Sequence, residues 1–280
     1  MTRSRRAIAL FVAAAALAPY GLGARAPKTA SRASALFDLI EALPAGARVL
    51  VSFDYSPAFA AECQPAADAI LWHLFARGCR AYLMTLWPAG EDAAARTLER
   101  VLADGLAQKQ YARDYIVLGL KPGGVGAINA LARDLRAFVT ADAAGAVIDE
   151  FEMTNGIARL ADFDLVVTIS AGEPGAKEWA QCAGSLAGAR VAAAVAAIDA
   201  PALLPYVPGQ IAALSIGILG AARHESALSA RYATRNNGPS RSRAASQSAL
   251  HAAIVALTAS GAVAAARRRG QRPGRRDDRS

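Results

Sequence analysis

The chain has 280 residues, 54% of them hydrophobic but only 6% aromatic, so alanine supplies much of its apolar content. The net charge is +8, yet residues 36–230 hold 14 Lys and Arg against 21 Asp and Glu, and the two ends together hold 17 against 2. An acidic body repels phosphate backbones, which argues against nucleic acid as a partner. Three widely spaced cysteines without a C-x-x-C pair argue against a disulfide framework or a structural zinc site.

Residues 1–35 begin with three arginines, followed by an apolar run over 7–24 and then by Ala24-Arg25-Ala26. A positive start, a hydrophobic stretch and a small-x-small site are typical of a secretory signal peptide. The same stretch is near the lower length limit for a membrane-spanning helix, so an uncleaved anchor is equally compatible with it. We therefore expect either a signal peptide or an N-terminal membrane anchor.

The run Val49-Leu50-Val51-Ser52-Phe53-Asp54-Tyr55 has no polar alternation and predicts a strand that is buried on both faces of a parallel sheet. Further apolar runs predict four more strands, at 79–86, 115–120, 163–170 and 191–198. Helical spacing predicts helices at 64–78, 91–108, 126–138, 176–183 and 209–228. Residues 139–161 resemble a loop-like insertion. This alternation predicts an α/β fold, a doubly wound and mostly parallel sheet of about five strands, flanked by N-terminal and C-terminal hydrophobic helices.

Residues 229–247 are polar and predict a flexible linker. Residues 249–266 carry no formal charge and are followed by three arginines, which is typical of a transmembrane helix; an alanine-rich surface helix is the alternative. Seven arginines follow residue 266, against four between 231 and 243, which predicts a cytoplasmic tail. The predicted organisation is therefore a leader or anchor (1–35), a Rossmann-like domain (36–228), a linker (229–247) and a transmembrane helix with its basic tail (248–280).

Ligands of open α/β sheets bind at the carboxyl ends of the strands. The predicted strand ends and neighbouring loops provide eight candidate ligand-binding residues: Asp54, Tyr55, Trp87, Lys121, Gly123, Gly124, Glu173 and Gln210. Asp54 and Glu173 could act as paired carboxylates in metal binding or proton transfer. Alternatively, Asp54 caps a turn and Glu173 caps a helix.

The segment Lys121-Pro122-Gly123-Gly124-Val125-Gly126 opens a predicted helix, where exposed amides and Lys121 could hold an anion. It matches neither nucleotide-binding glycine motif, and a plain tight turn is the alternative. The amide of Gln210 could point into the same cleft. His73 lies on a mostly apolar helix and is expected to be a structural histidine. His224 and His251 lack a second ligand at i+4, so the sequence predicts no metal site, no recognisable catalytic set and no identifiable cofactor.

Several motifs lie at the predicted strand ends and helices: the 49–55 strand with Pro57, Met84-Thr85-Leu86-Trp87-Pro88, Asp114-Tyr115 through Lys121-Pro122-Gly123, Ala171-Gly172 with Pro174-Gly175 and Glu178-Trp179, Gly209-Gln210 with Gly220-Ala221-Ala222 and Glu225, and Gln247-Ser248 with His251. Together they resemble a family of uncharacterised prokaryotic membrane-anchored proteins. The resemblance covers roughly residues 47–260 and implies an N-terminal hydrophobic segment, an α/β domain and a C-terminal transmembrane helix. It implies no reaction. The chain departs from the family pattern at Leu219, where a lysine is expected, and at Arg223-His224, which replace an acidic-aromatic pair.

These observations predict a membrane-anchored, extracytoplasmic domain with a binding or accessory role in an envelope complex. Its expected partners are membrane lipid and other membrane or envelope proteins, and its expected location is the cell membrane. The alternative is a hydrolase or transferase that acts on an anionic small molecule through Asp54, Lys121 and Glu173.

Overall fold

The computed structural model describes residues 34–232, in which one parallel sheet forms the centre of an α/β domain. The sheet has six strands in the order β3-β2-β1-β4-β5-β6. Their bounds are β1 Arg48–Asp54, β2 Arg80–Thr85, β3 Tyr115–Leu120, β4 Leu165–Ser170, β5 Val191–Val195 and β6 Ile211–Ile216. The chain runs outward from β1 to β3 and then returns to β4 on the other side of β1, as in doubly wound sheets. The predicted α/β fold with a parallel sheet is confirmed, with six strands in place of about five, while the predicted flanking hydrophobic helices lie outside the described residues.

Helices alternate with the strands along the chain. Their bounds are α1 Ala35–Glu41, α2 Ala60–Ala76, α3 Pro88–Val101, α4 Val125–Arg133, α5 Leu135–Phe138, α6 Ala176–Glu178, α7 Ala200–Leu203 and α8 Gly217–Arg231. A wider π-helical segment extends α6 over Trp179–Leu186. After α3 the chain kinks within Leu102–Leu106, where Asp104 and Gly105 leave the helical conformation. The predicted insertion at 139–161 consists of loops and short 3₁₀ turns, among them Ile148–Glu150 and Glu152–Thr154.

Two apolar layers enclose the sheet. On one face, Val49, Val51 and Phe53 of β1 pack with the buried sides of α1, α2, α3 and α8. On the other face, Leu50 of β1 packs with α4, the insertion and the helix after β4, including the fully buried Trp179. Every residue of β1 after Arg48 is buried, which agrees with the unbroken apolar pattern of this strand.

The predicted helix at 209–228 is wrong in its first part, because residues 211–216 form β6, an edge strand paired with β5. Buried and half-buried residues alternate along β6, as expected for a strand at the edge of a sheet. Helix α8 begins only at Gly217 and continues to Arg231. The helix therefore includes residues 229–231, which the sequence assigns to the linker.

Within residues 34–232, no helix is long and apolar enough to cross a membrane. The predicted leader or anchor, most of the linker and the predicted C-terminal transmembrane helix lie outside the described residues.

Candidate functional site at the carboxyl edge of the sheet

Asp54 ends β1 at the point where the strand order reverses, and it lies opposite Ser170 at the end of β4. Its side chain is completely buried. Oδ1 accepts hydrogen bonds from the Ser52 hydroxyl and the Leu86 amide, both at 2.8 Å. Oδ2 accepts them from the Trp179 indole at 2.9 Å and the Thr168 hydroxyl at 3.3 Å. Four donors from three strand regions and one helix therefore hold this carboxylate.

Burial raises the pKa of Asp54 to about 6, because a charged carboxylate loses its hydration in the interior. The hydrogen bonds from Leu86, Ser52, Trp179 and Thr168 act in the opposite direction, since they stabilise the charged form. Asp54 therefore accepts its hydrogen bonds from the protein itself. The alternative from the sequence is that Asp54 caps a turn, whereas its four donors lie in different elements.

Trp87 links two loops at the carboxyl edge of the sheet. It follows β2, and its indole N–H donates to the carbonyl of Pro174, which follows β4, at 2.8 Å. Gly172 has a φ of +94°, and a Cβ added there would lie 3.4 Å from the Trp87 ring. Gly124, after β3, lies next to Pro174 on the same side. Trp87 therefore connects the loops after β2 and β4 at the edge of the sheet where ligands of doubly wound folds bind.

Lys121 follows β3 and is half-buried. Burial lowers its pKa, and the negative charges of Asp142 and Glu91 oppose that change. Gly124 precedes α4 with a φ of +56°, and no side chain caps the start of this helix. The first turn of α4 also lacks an acidic residue. Lys121, Gly123 and Gly124 thus present a positive charge beside an uncapped helix start, a chemistry that suits an anion.

Glu173 lines a pocket between the loops that follow β4 and β5. The pocket is small and open to solvent, and its lining includes Ser170, Gly172, Glu173, Lys177, Asp199 and Leu203. The Glu173 carboxylate is exposed and pairs with the Lys177 ammonium at 3.0 Å, which raises the pKa of Lys177. Neither Asp54 nor Lys121 lines this pocket. The three residues of the enzyme hypothesis therefore occupy different surroundings.

Tyr55 and Gln210 lie away from Trp87. The Tyr55 side chain is buried, and its hydroxyl donates to Gln64 of α2 at 3.2 Å, on the α2–α3 side of the sheet. Gln210 directly precedes β6, whose first residue pairs with Val191, the first residue of β5. Because parallel strands begin at one edge and end at the other, Gln210 lies at the amino edge of the sheet. Its expected position beside the carboxyl-edge cleft followed from assigning residue 210 to a helix.

The sequence prediction missed the donors around Asp54, namely Ser52, Thr168 and Trp179. Ser52 and Thr168 did carry a signal, because each is a lone polar residue inside an otherwise apolar strand, two residues before its end. A buried polar side chain requires a hydrogen-bonding partner, and a neighbouring strand-end carboxylate can provide one.

The described part of the chain contains no cluster of three or more His, Cys, Asp or Glu residues that could hold a metal ion. Comparisons with protein-family models, curated proteins and solved structures give no match for this chain. This result is consistent with a family for which no activity is established.

Proposed function

We propose that the chain is a membrane-anchored, extracytoplasmic α/β domain with a binding or accessory role in an envelope complex. Two apolar segments flank the domain in the sequence, and arginines follow the second of them. The acidic body and basic ends support this arrangement, since positive residues remain on the cytoplasmic side of a membrane. Membrane lipid and other envelope proteins are the partners in this proposal.

The observation that best supports a non-catalytic role is the state of Asp54. A carboxylate at the switch point acts in binding or proton transfer when a substrate can reach its oxygens. Both oxygens of Asp54 are buried and accept hydrogen bonds from the protein. In this proposal, Asp54 at the end of β1 stabilises the contacts between strands and loops and does not react with a substrate.

Fractionation of cells that express the full chain tests the membrane anchor. We expect the protein in the membrane pellet after a carbonate wash, because at least one apolar segment of 18 residues crosses the bilayer in this proposal. Reporter fusions after residue 280 are expected to indicate a cytoplasmic C-terminus. The mass of the purified protein distinguishes a cleaved signal peptide from a retained anchor. Recovery of the protein in the soluble fraction would contradict the proposal.

A hydrolase or transferase of anionic small molecules is the second candidate, and the uncapped start of α4 beside Lys121 favours it. In that case inorganic phosphate, nucleotides or sugar phosphates should raise the melting temperature by several degrees, since a ligand at 100 times its Kd adds about 2.7 kcal/mol. Lys121→Ala should remove the shift.

Lys177→Ala is the matched control, because it deletes a lysine paired with Glu173 on the neighbouring pocket. If both variants lose the rise in melting temperature, the anion binds through general surface charge and not at a site formed by Lys121. The absence of any shift or turnover in the unmodified protein would count against the second candidate.

A further inference from the structure

Two of the three histidines in the chain meet in the interior. His73 of α2 and His224 of α8 are 0% and 1% exposed, and His73 Nδ1 lies 3.1 Å from His224 Nε2. The other ring nitrogen of His73 lies 2.9 Å from the Glu41 carboxylate at the end of α1. A continuous path of hydrogen bonds therefore joins Glu41, His73 and His224, and with them α1, α2 and α8.

Other groups converge on the Glu41 end of this path. The Tyr232 hydroxyl donates to Oε2 of Glu41 at 2.9 Å, Arg231 Nε donates to Oε1 at 3.3 Å, and Arg77 lies 3.9 Å away. Burial raises the pKa of Glu41, but the hydrogen bonds from His73 and Tyr232 and the charges of His73 and Arg77 lower it below its usual value. Glu41 is therefore a carboxylate at neutral pH, and His73 must carry a proton on Nε2 to bond with it.

Tyr232 also contacts the pair, since its ring centroid lies 5.9 Å from that of His73. Glu225 follows His224 and is 2% exposed, so it is the remaining buried carboxyl nearby on α8. Strands β5 and β6, which pack against α8, contain no titratable side chain. Phe37 of α1 stacks on the His73 ring with 4.6 Å between ring centroids.

The contact between the two rings limits how many protons they can hold. With Nε2–H of His73 directed to Glu41, His73 Nδ1 accepts from His224 Nε2–H when both rings are neutral. One added proton is compatible with the contact, because a single N–H still lies between the two nitrogens. Two added protons place two N–H groups and two positive charges face to face at 3.1 Å, which removes the hydrogen bond and adds repulsion.

We propose that the His73–His224 pair is a pH-operated latch that fastens the C-terminal half of α8 to α2 at neutral pH and releases it when both rings are protonated. The released form binds at least one more proton than the closed form. Acid therefore favours release. The latch is a property of the domain and does not depend on its membrane location.

Hydrogen exchange of the purified full chain tests the latch. We expect the protection of the amides in residues 224–231, corrected for intrinsic exchange, to fall about tenfold between pH 6.5 and pH 5.5. This is the change produced by one extra proton per released molecule. Amides of β1, which is buried on both faces, serve as the internal reference and should remain protected. Equal protection of 224–231 at pH 7.5 and pH 5.5 would show a purely structural pair and overturn the proposal.

Two variants separate the histidine pair from its neighbour. In His224→Gln the side-chain amide still donates to His73 Nδ1 but takes up no proton, so protection of α8 should be the same at both pH values. Glu225→Gln leaves the pair intact and should keep the tenfold change. If Glu225→Gln loses the tenfold change in amide protection, or if His224→Gln keeps it, the pH dependence comes from a group other than the histidine pair.

Histidine NMR of the unmodified protein provides a test that does not depend on the folding of a variant. The chain has only three histidines, so His73 and His224 can be distinguished from His251. We expect the two buried rings to titrate in two separate steps, the second of them together with the loss of protection. Two independent titrations near the usual pKa, with α8 still protected, would overturn the latch.

Discussion

Gly90→Ala is expected to lower the free energy of unfolding by about 3 kcal/mol or more, the upper end of the cost of overpacking. Gly90 lies in the first turn of α3, where the helix approaches the backbone of β1 and β2. A Cβ at this position would lie 2.7 Å from Thr85 Cβ and still closer to Thr85 Oγ1 and the Phe53 carbonyl oxygen. Thr85 Oγ1 already donates to that carbonyl, so neither atom can move away without loss of the hydrogen bond.

Urea unfolding of the purified variants measures this effect. Gly126→Ala is the matched control, because Gly126 lies in α4 and a Cβ added there meets no atom within 4 Å. Gly126 lies in the first turn of α4, where the preference for alanine over glycine is weaker than in a helix interior, so this variant should keep its stability or gain up to about 0.5 kcal/mol. If Gly90→Ala also gains stability, α3 does not lie as close to the sheet as the structure places it.

Asp54→Leu is expected to have the second large effect, a loss of about 4 kcal/mol. The substitution leaves the Leu86 amide, the Trp179 indole and two hydroxyls without their acceptor in the interior, and each buried group without a partner costs about 1–3 kcal/mol. The hydroxyls can turn toward other acceptors, which reduces the sum. Glu173→Gln is the control, since its ion pair with Lys177 is exposed to solvent and should contribute little to stability. If the two variants are equally stable, the hydrogen bonds to Asp54 do not stabilise the contact between the strands.

The pH dependence of the same residue has a defined sign. Because the pKa of Asp54 rises to about 6 on folding, the folded state binds its proton more tightly than the unfolded state does. The contribution of Asp54 to stability is therefore fully present below the unfolded pKa and is lost as the pH rises through about 6. The rise of the Asp54 pKa from 3.8 to about 6 corresponds to a total change of about 3 kcal/mol in the free energy of unfolding.

Relative to Asp54→Asn, which does not titrate, the unmodified protein should gain about 1 kcal/mol between pH 7 and pH 5. The difference between the two proteins removes the opposite contribution of the histidine pair, which both contain. A difference that stays constant over this range would indicate that Asp54 is charged throughout.

Five strands were predictable from the sequence because they are short, apolar and end in turn-forming residues. The sixth was not, since Ile211–Ile216 lies within a stretch of small and apolar residues that suits a helix equally well. Alanine has little preference for strands, so the position of this stretch beside β5 decided its conformation. Neighbours that are distant in sequence, rather than the local pattern, therefore determined the edge of the sheet.

The candidate site was predictable only as a location. Strand ends correctly placed Asp54 and Trp87 at the carboxyl edge, because parallel strands end together. Their hydrogen bonds to Trp179 and Pro174 connect residues that are 125 and 87 positions apart, and no local pattern encodes such pairs. Tyr55 illustrates the same limit, since adjacent residues of an extended segment point to opposite sides.

The contact between Glu41 and Tyr232 brings together α1, the first described helix, and the last described residue. A pulling force applied to the two ends would therefore act first on this contact and on the Arg231–Glu41 pair, before it reaches the sheet. These bonds lie near the surface and would break one by one, whereas the strands of the sheet share many hydrogen bonds. The domain should accordingly yield to tension in two stages, opening at its ends at low force while the sheet remains folded.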